Sequence, residues 1–381
     1  MNSELIASDT ALADLCRALE GSAWIALDTE FLRERTYYAR LCLIQVGAPG
    51  IVACIDPLTL EQLAPLHALL ENPGLRKVLH AARQDLEVFV DLRRAGTRQC
   101  RERQDAESDR GIVAAPLFDT QIAAAYLGYD DQIGYAALVT AITGVILDKT
   151  HTRTDWSKRP LSAAQHQYAE DDVRYLMPVY EALHERLAAA GRLAWVADDC
   201  TRLTDPKLYA NDPAEAWRRL RGGAELPAAN QQILRALAAF REQTAQARNL
   251  PRGWVLRDEV LFELARHAPQ TRAELVSIRG LEDGARHSWG DAILDCIEQG
   301  RRADPQIIWE RQAPPTPEQN ALGKRLMELV RSVAQEHELA PAVLATRRDV
   351  EKLVRGAEPA SVLRGWRAEL LGTKLGALLP C

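Results

Sequence analysis

Apolar and polar positions change period twice along this chain. Between residues 23 and 56, three short runs are almost continuously apolar: Ala23–Phe31, Arg40–Gly47 and Ile51–Asp56. Their length and their lack of helical spacing predict strands. Ala48-Pro49-Gly50, between the last two, is a turn signal. Leu60–Glu71 returns apolar residues at helical spacing, and Lys77–His80 reads as a further short strand. Arg83–Leu92, Thr120–Leu127 and Ile133–Thr143 read as helices. Pro160-Leu161-Ser162 opens a helical stretch that runs to about Ala190, with Ser162 as its cap. Strands first, then strands mixed with helices, predict an α/β domain around a mixed sheet.

After Asp205-Pro206 the strand signals largely vanish. Residues 212–302 and 318–379 are helical in pattern, and 304–317 carries Pro305, Pro314, Pro315 and Pro317, the composition of a linker. Both helical segments run as a long helix, a turn, a short helix and a closing helix, which suggests two copies of one small module. The expected division is therefore an α/β domain over 1–205, a helical module over 211–303, a linker over 304–317 and a second helical module over 318–381. The pattern also breaks between Arg93 and Ala115, where arginines alternate with Glu102, Asp105, Glu107 and Asp109. That mixture predicts a solvated loop rather than a basic binding surface.

Composition narrows the class. A chain of 381 residues is too long for one ordinary core, and 47% hydrophobic with 26% charged residues is a soluble globular profile. No run reaches the ~20 apolar residues of a membrane span. Met1-Asn2-Ser3-Glu4 lacks the basic-then-apolar order of a signal peptide. The seven cysteines are scattered without a C-x-x-C, which suits neither a disulfide framework nor a zinc site and points to the cytoplasm. Cys42 and Cys54 lie in strand-like runs and are expected in the core. A net charge of −6 argues against holding nucleic acid by charge alone. The first 210 residues carry 30 acids against 22 bases, and the remainder 23 against 25.

The acidic half holds the candidate chemistry. Asp28 and Glu30 lie two apart in Trp24-Ile25-Ala26-Leu27-Asp28-Thr29-Glu30-Phe31, so on a strand they share one face. Two carboxylates on a buried face repel and lose hydration unless a cation sits between them. Mg²⁺ and Mn²⁺, hard ions that prefer oxygen, are the candidates. By itself such a pair is more often a strand end where both acids reach water. A second cluster is Tyr168-Ala169-Glu170-Asp171-Asp172, in which Tyr168 and Asp172 share a helical face at i and i+4. Its alternative is a core tyrosine followed by surface acids. Asp85 lies near a helix start, beside the buried face marked by Leu86 and Phe89, where a cap or dipole partner is the ordinary role.

Taken in order, these segments resemble the ribonuclease D family. Asp28-Thr29-Glu30-Phe31 with Arg33, Arg35 and Thr36-Tyr37-Tyr38 resembles its first exonuclease motif. His80-Ala81 through Asp85-Leu86-Glu87-Val88-Phe89 resembles the second, and Thr150–Trp156 followed by Tyr168-x-x-x-Asp172 the third. Pro116–Gln121 and Leu147-Asp148-Lys149 match connecting segments, so the resemblance spans roughly residues 20–185. The helical half resembles the HRDC module, in two copies. The resemblance implies a ribonuclease-H-like α/β exonuclease fold followed by two all-α domains. It implies that Asp28, Glu30, Asp85 and Asp172 ligate two divalent ions, Mg²⁺ or Mn²⁺, and that Tyr168 positions the attacking water. It further implies a 3′→5′ exoribonuclease acting on RNA with a free 3′ end, tRNA precursors among it, without an obligate protein partner. The Arg93–Ala115 segment is longer than the family's usual connection.

Further residues carry open readings. Arg33, Arg35, Arg153, Lys158 and Arg159 are candidate phosphate contacts, and Tyr37, Tyr38 and Trp156 candidate base-stacking surfaces. Only two or three of these eight are expected to touch substrate. Thr29 and Phe31 flank the paired acids and are candidate substrate contacts. His80 either reaches substrate or sits as a satisfied, half-buried histidine. Asp119 is expected to cap a helix, and Asp155 to pair with an arginine or order its loop. The rival functions are a DNA exonuclease with the same acids and an RNA-binding protein without catalysis.

Overall fold

The computed structural model describes residues 5–95, 114–148, 150, 154–311, 313–356 and 364–379. The chain divides into two compact units. One comprises Met1–Leu32, Leu41–Leu208 and Pro315–Cys381, and the other Arg33–Arg40 and Tyr209–Pro314. Most of the Arg93–Ala115 segment, 96–113, lies outside the described residues, as do Lys149 and His151, Thr152 and Arg153.

The first unit is built on a mixed sheet of β1 (Leu5–Ile6), β2 (Trp24–Leu32), β3 (Arg40–Ala48), β4 (Ile51–Ile55), β5 (Arg76–Leu79) and β6 (Leu117–Asp119). Their order across the sheet is β1-β4-β3-β2-β5-β6. β3 and β4 form an antiparallel hairpin closed at Ala48 and Ile51, and Gly50, at φ 79°, supplies the left-handed residue of the turn. β5 runs parallel to both β2 and β6. β2 is therefore an interior strand, held from both sides. The runs read as strands from their apolar continuity are β2 to β5. β1 and β6, two and three residues long, fall below the length at which periodicity registers. Cys42 and Cys54 are fully buried.

Around the sheet lie α1 (Asp9–Leu19), α2 (Ala64–Glu71), α3 (Arg83–Ala95), α4 (Thr120–Ala125), α5 (Tyr135–Thr143), α6 (Ala163–Arg174), α7 (Leu176–Ala189) and α8 (Leu193–Leu203). The single long helix expected after Ser162 is two helices, broken at Tyr175. Pro178 has no N–H for the carbonyl four residues earlier, which ends the regular ladder there. Ser162 does cap α6, in a capping box with Gln165. Gly47 of β3 lets α6 seat closely: a Cβ there would lie 3.2 Å from the Cβ of Val173 and 3.3 Å from its carbonyl oxygen.

The chain returns to this unit with α14 (Pro317–Glu336), α15 (Pro341–Leu344), α16 (Arg347–Val354) and a closing helical stretch from Gly365 to Gly376. Trp366 stacks on Trp195 of α8 with centroids 4.5 Å apart. The Arg367 guanidinium donates to Asp199 at 2.7 Å, and the amide of Ala340 to the carbonyl of Ala125 at 2.9 Å.

The second unit packs α9 (Ala228–Arg248), α10 (Arg252–Val255), α11 (Asp258–His267), α12 (Arg272–Leu275) and α13 (Asp283–Arg302) around one apolar core. α9 to α11 and α14 to α16 repeat one another at a constant offset of 89 residues, Ala228 matching Pro317, Arg252 matching Pro341 and Asp258 matching Arg347. The connections repeat too. Asn249 and Glu338 take left-handed φ values of 49° and 50°. The next amides, Leu250 and Leu339, donate to Ala245 and Ala334 at 2.9 and 2.8 Å.

Candidate active site

β2 and α6 bring the carboxylates together. Asp28 and Glu30 alternate with Thr29 along β2, so they share a face while Thr29 points to the other. Asp172 projects from the last turn of α6. One carboxylate oxygen from each of Asp28, Glu30 and Asp172 lies within 4.8 Å of the other two. Asp85, in the first turn of α3 and almost fully buried, is outside that group of three; it accepts from the Thr29 hydroxyl at 2.5 Å, and its charge acts on Asp28 and Glu30.

This much negative charge changes how the acids hold protons. Burial, then the charges of Asp172, Asp85 and Glu30, hold the Asp28 carboxyl well above its ordinary range. Burial and the charges of Asp172 and Asp85 push Glu30 up to about 8. Burial, then the neighbouring Asp171, raises Asp172 to about 8. Asp85 rises to about 7 through burial, against the opposing hydrogen bond from Thr29. Acids that repel one another in this way are a ready site for a cation. The donors are carboxylate oxygens alone, which suits a hard divalent ion such as magnesium or manganese. The cluster therefore fits the use of a divalent metal.

Tyr168 stands one helical turn before Asp172, half-buried, its ring 5.9 Å from that of Trp156. Asp119 caps α4 as expected, accepting from the amides of Gln121 and Ile122 at 2.8 and 3.4 Å. It also accepts from the amides of Ala81 and Ala82 at 3.0 and 2.8 Å. Its second contact holds the turn that launches α3, and with it Asp85.

Several expected substrate contacts are used inside the protein instead. Trp156 is 2% exposed and packs with Cys42, Leu43, Cys54 and Ala169, so it offers no face to a base. Tyr37 is buried in the core of the second unit. Its hydroxyl donates to Glu242, and the Arg252 guanidinium lies 4.7 Å from its ring centroid. The expectation that either ring stacks on RNA is thus corrected. Arg159 makes a paired ion bridge to the buried Asp56, with Nε 2.6 Å from Oδ2 and Nη2 2.8 Å from Oδ1, and holds the carbonyls of Cys42 and Trp156. A guanidinium so occupied is a structural tie rather than a phosphate contact. The Thr29 hydroxyl proton is given to Asp85.

His80 takes the second of its two readings. Its Nδ1 lies 3.0 Å from the Thr120 hydroxyl and its Nε2 3.1 Å from the Ile133 carbonyl. Asp155 orders its loop by accepting from the amide and hydroxyl of Ser157 at 3.1 and 2.7 Å, and lies 3.8 Å from the Lys158 ammonium. Phe31 is half-buried at the end of β2, while Arg33 and Arg35 are exposed on the segment assigned to the second unit. Tyr38 packs against that unit's core. Arg153 lies outside the described residues.

Tyr135, which the sequence did not single out, reaches the cluster from α5. Its hydroxyl donates to the Asp172 carbonyl at 2.6 Å. No local signal marks it, since its partner lies 37 residues away.

Comparison with known proteins agrees with this geometry. The family model described as a 3'-5' exonuclease matches residues 3–188, and the HRDC domain model matches residues 230–297. Ribonuclease D of Granulibacter bethesdensis is 40% identical over 387 aligned residues, covering 98% of this chain and 92% of that protein. Ribonuclease D of Acidiphilium cryptum is also 40% identical, covering 97% of this chain and 91% of its own. The crystal structure of Escherichia coli RNase D, an exoribonuclease involved in structured RNA processing, superposes with a TM-score of 0.85 at 33% identity, over 100% of this chain and 99% of that one.

Proposed function

The chain belongs to the ribonuclease D family and is a 3′→5′ exoribonuclease, and from that premise we propose that Asp28, Glu30, Asp85 and Asp172 hold two divalent ions, Mg²⁺ or Mn²⁺, for the trimming of RNA 3′ ends. The substrates in this reading are tRNA precursors and other small structured RNAs with a free 3′ end, and the products are nucleoside 5′-monophosphates. The observation that carries the reading is the convergence of Asp28, Glu30 and Asp172, from elements far apart in sequence, within 4.8 Å.

The chemistry such ions supply is activation of a water and neutralisation of charge on the leaving 3′-oxygen. The chain's own residues set the geometry. Asp28 and Glu30 offer oxygens from one rigid strand face, and Asp172 closes the group from α6. The Thr29 hydroxyl holds the Asp85 carboxylate. The Tyr168 phenol, one turn from Asp172, orients the attacking water. With an ordinary pKa of about 10, a phenol is a poor base at neutral pH, so orientation rather than proton abstraction is its task.

Phe31, Arg33 and Arg153 remain proposed RNA contacts. The helical modules, 211–303 and 318–381 with 304–317 between them, are read as two HRDC-type copies that help to grip RNA; the constant 89-residue offset supports a duplication. No helix among the described residues is long and apolar enough to cross a membrane, and the reading places the enzyme in the cytoplasm.

The test is to give the purified protein a 3′-extended tRNA with Mg²⁺ and follow the products. Stepwise shortening from the 3′ end with release of 5′-monophosphates is expected, together with slower action on a DNA strand of the same sequence. Asp28→Ala should abolish hydrolysis without unfolding the protein. Internal cleavage, 3′-phosphate products, or wild-type turnover in Asp28→Ala would overturn the reading.

A further inference from the structure

We propose that Tyr135 is a positioning residue that pins the backbone of Asp172 and thereby sets how that carboxylate meets the metal. The inference rests on the ligand role proposed for Asp172. Tyr135 is the first residue of α5 and is half-buried. Its hydroxyl donates to the Asp172 carbonyl at 2.6 Å and lies 3.1 Å from that of Asp171. Both carbonyls belong to the last turn of α6, just before the break at Tyr175; that of Asp171 already accepts the Tyr175 amide at 3.2 Å, so the tie that matters is the one to Asp172. A side chain from another element therefore closes the helix end at the residue whose carboxylate enters the cluster. Ligand placement must hold to within ~0.5 Å to be productive, so a tie on the ligand's own peptide is well placed to matter.

The phenol is itself braced. The His80 ring lies 5.5 Å from the Tyr135 ring, centroid to centroid, and its two nitrogens are engaged by Thr120 and the Ile133 carbonyl. Gln121 donates to the same carbonyl at 3.1 Å, two residues before Tyr135. Thr120 and Gln121 open α4, which Asp119 caps, and Asp119 also holds the amides ahead of α3. Asp85 and Asp172 are thus braced against one frame, running from Asp119 through His80 to Tyr135. Phenylalanine would keep the ring packing and lose only the tie to α6.

The experiment compares Mn²⁺ binding by calorimetry in the RNA-free full chain for wild type, Tyr135→Phe and Asp172→Asn. Steady-state kinetics over a Mg²⁺ series accompany it. Supporting groups around metal ligands change affinity by roughly 10- to 100-fold when removed, and a loss in that range is expected for Tyr135→Phe. Its turnover should fall at limiting Mg²⁺ and recover toward wild type at saturating Mg²⁺, with KM for RNA unmoved. Wild-type Mn²⁺ affinity in Tyr135→Phe, whether or not its melting temperature drops, overturns the proposal. If Tyr135→Phe does not fold, Thr120→Val, which loosens His80 behind the ring, must weaken Mn²⁺ binding in the same direction; unmoved affinity there overturns it equally. Asp172→Asn separates the two levels. Undiminished Mn²⁺ binding in that variant removes the ligand reading and this proposal with it. Lost binding there with wild-type affinity in Tyr135→Phe removes this proposal alone.

Discussion

Replacing Asp172 by asparagine should make the metal-free protein more stable while ending its response to metal. Carboxylate oxygens of Asp28, Glu30 and Asp172 lie within 4.8 Å of one another. Two unit charges at that separation repel by about 3 kcal/mol at an effective dielectric near 20. The folded protein avoids that cost by keeping protons: Glu30 and Asp172 are pushed up to about 8 and Asp85 to about 7. In the unfolded chain the same groups ionise near pH 4. Their contribution to stability is thus fully present below about pH 4. It is lost as pH rises toward about 8, because over that window the folded state binds more protons than the unfolded one. Asparagine removes one of these groups together with its charge, and Asp172 is the foremost charged neighbour acting on both Asp28 and Glu30. Removing a repulsion of about 3 kcal/mol that the wild type already partly avoids by keeping protons gives roughly 1–3 kcal/mol at pH 8, and little at pH 5, where Glu30, Asp85 and Asp172 are already neutral. A gain of that size moves the melting midpoint of a domain this large by several degrees. Calorimetry in chelator at pH 5 and pH 8, repeated with Mn²⁺, reads all of this out. The wild type should gain stability from Mn²⁺ and the variant should not. A variant that melts below wild type at pH 8, or gains as much at pH 5 as at pH 8, would refute the repulsion argument.

Two further substitutions probe residues the protein uses internally. Arg159→Gln leaves the buried Asp56 carboxylate without its paired guanidinium and should destabilise by about 3 kcal/mol in chemical denaturation; adding Asp56→Asn should restore part of that, and a loss below about 1 kcal/mol in the single variant would return Arg159 to the list of phosphate contacts. Tyr37→Phe removes the hydroxyl bonded to Glu242 and should cost about 1–3 kcal/mol with KM for RNA unchanged; a raised KM without loss of stability would instead make Tyr37 a stacking surface.

How far the sequence could be read depended on where each residue's partner lies. β2 to β5 were legible because buried strands are continuous apolar runs. The pairing of Asp28 with Glu30 followed from strand alternation, and that of Tyr168 with Asp172 from the helical turn, since both relations are local. That Asp172 comes beside Asp28 was implied only by the ordered motifs of a family, because no periodicity encodes a contact between distant elements. The same limit explains the corrections. Tyr37, Trp156 and Arg159 have the chemistry of RNA contacts, yet Tyr37 meets Glu242 across 205 positions and Arg159 meets Asp56 across 103. Asp119 was legible as a cap of the helix that follows it, while its hold on Ala81 and Ala82, 38 and 37 positions back, was not.

The contrast between Asp56 and Asp28 shows what finally marks a site. Asp28 lies in the middle of β2 and Asp56 directly after β4 of the same sheet, each following an apolar run. Asp56 is matched by a guanidinium from the chain itself, in a two-pronged bridge that leaves its charge balanced. Asp28 is matched by more carboxylates, and their charges add to burial in holding its proton. A buried anion answered by a cation of the same chain is part of the scaffold. An anion answered, among the described residues, only by further anions is out of balance until something positive arrives, and that imbalance, rather than the presence of aromatic or basic side chains, is what fits the acidic cluster to a divalent metal.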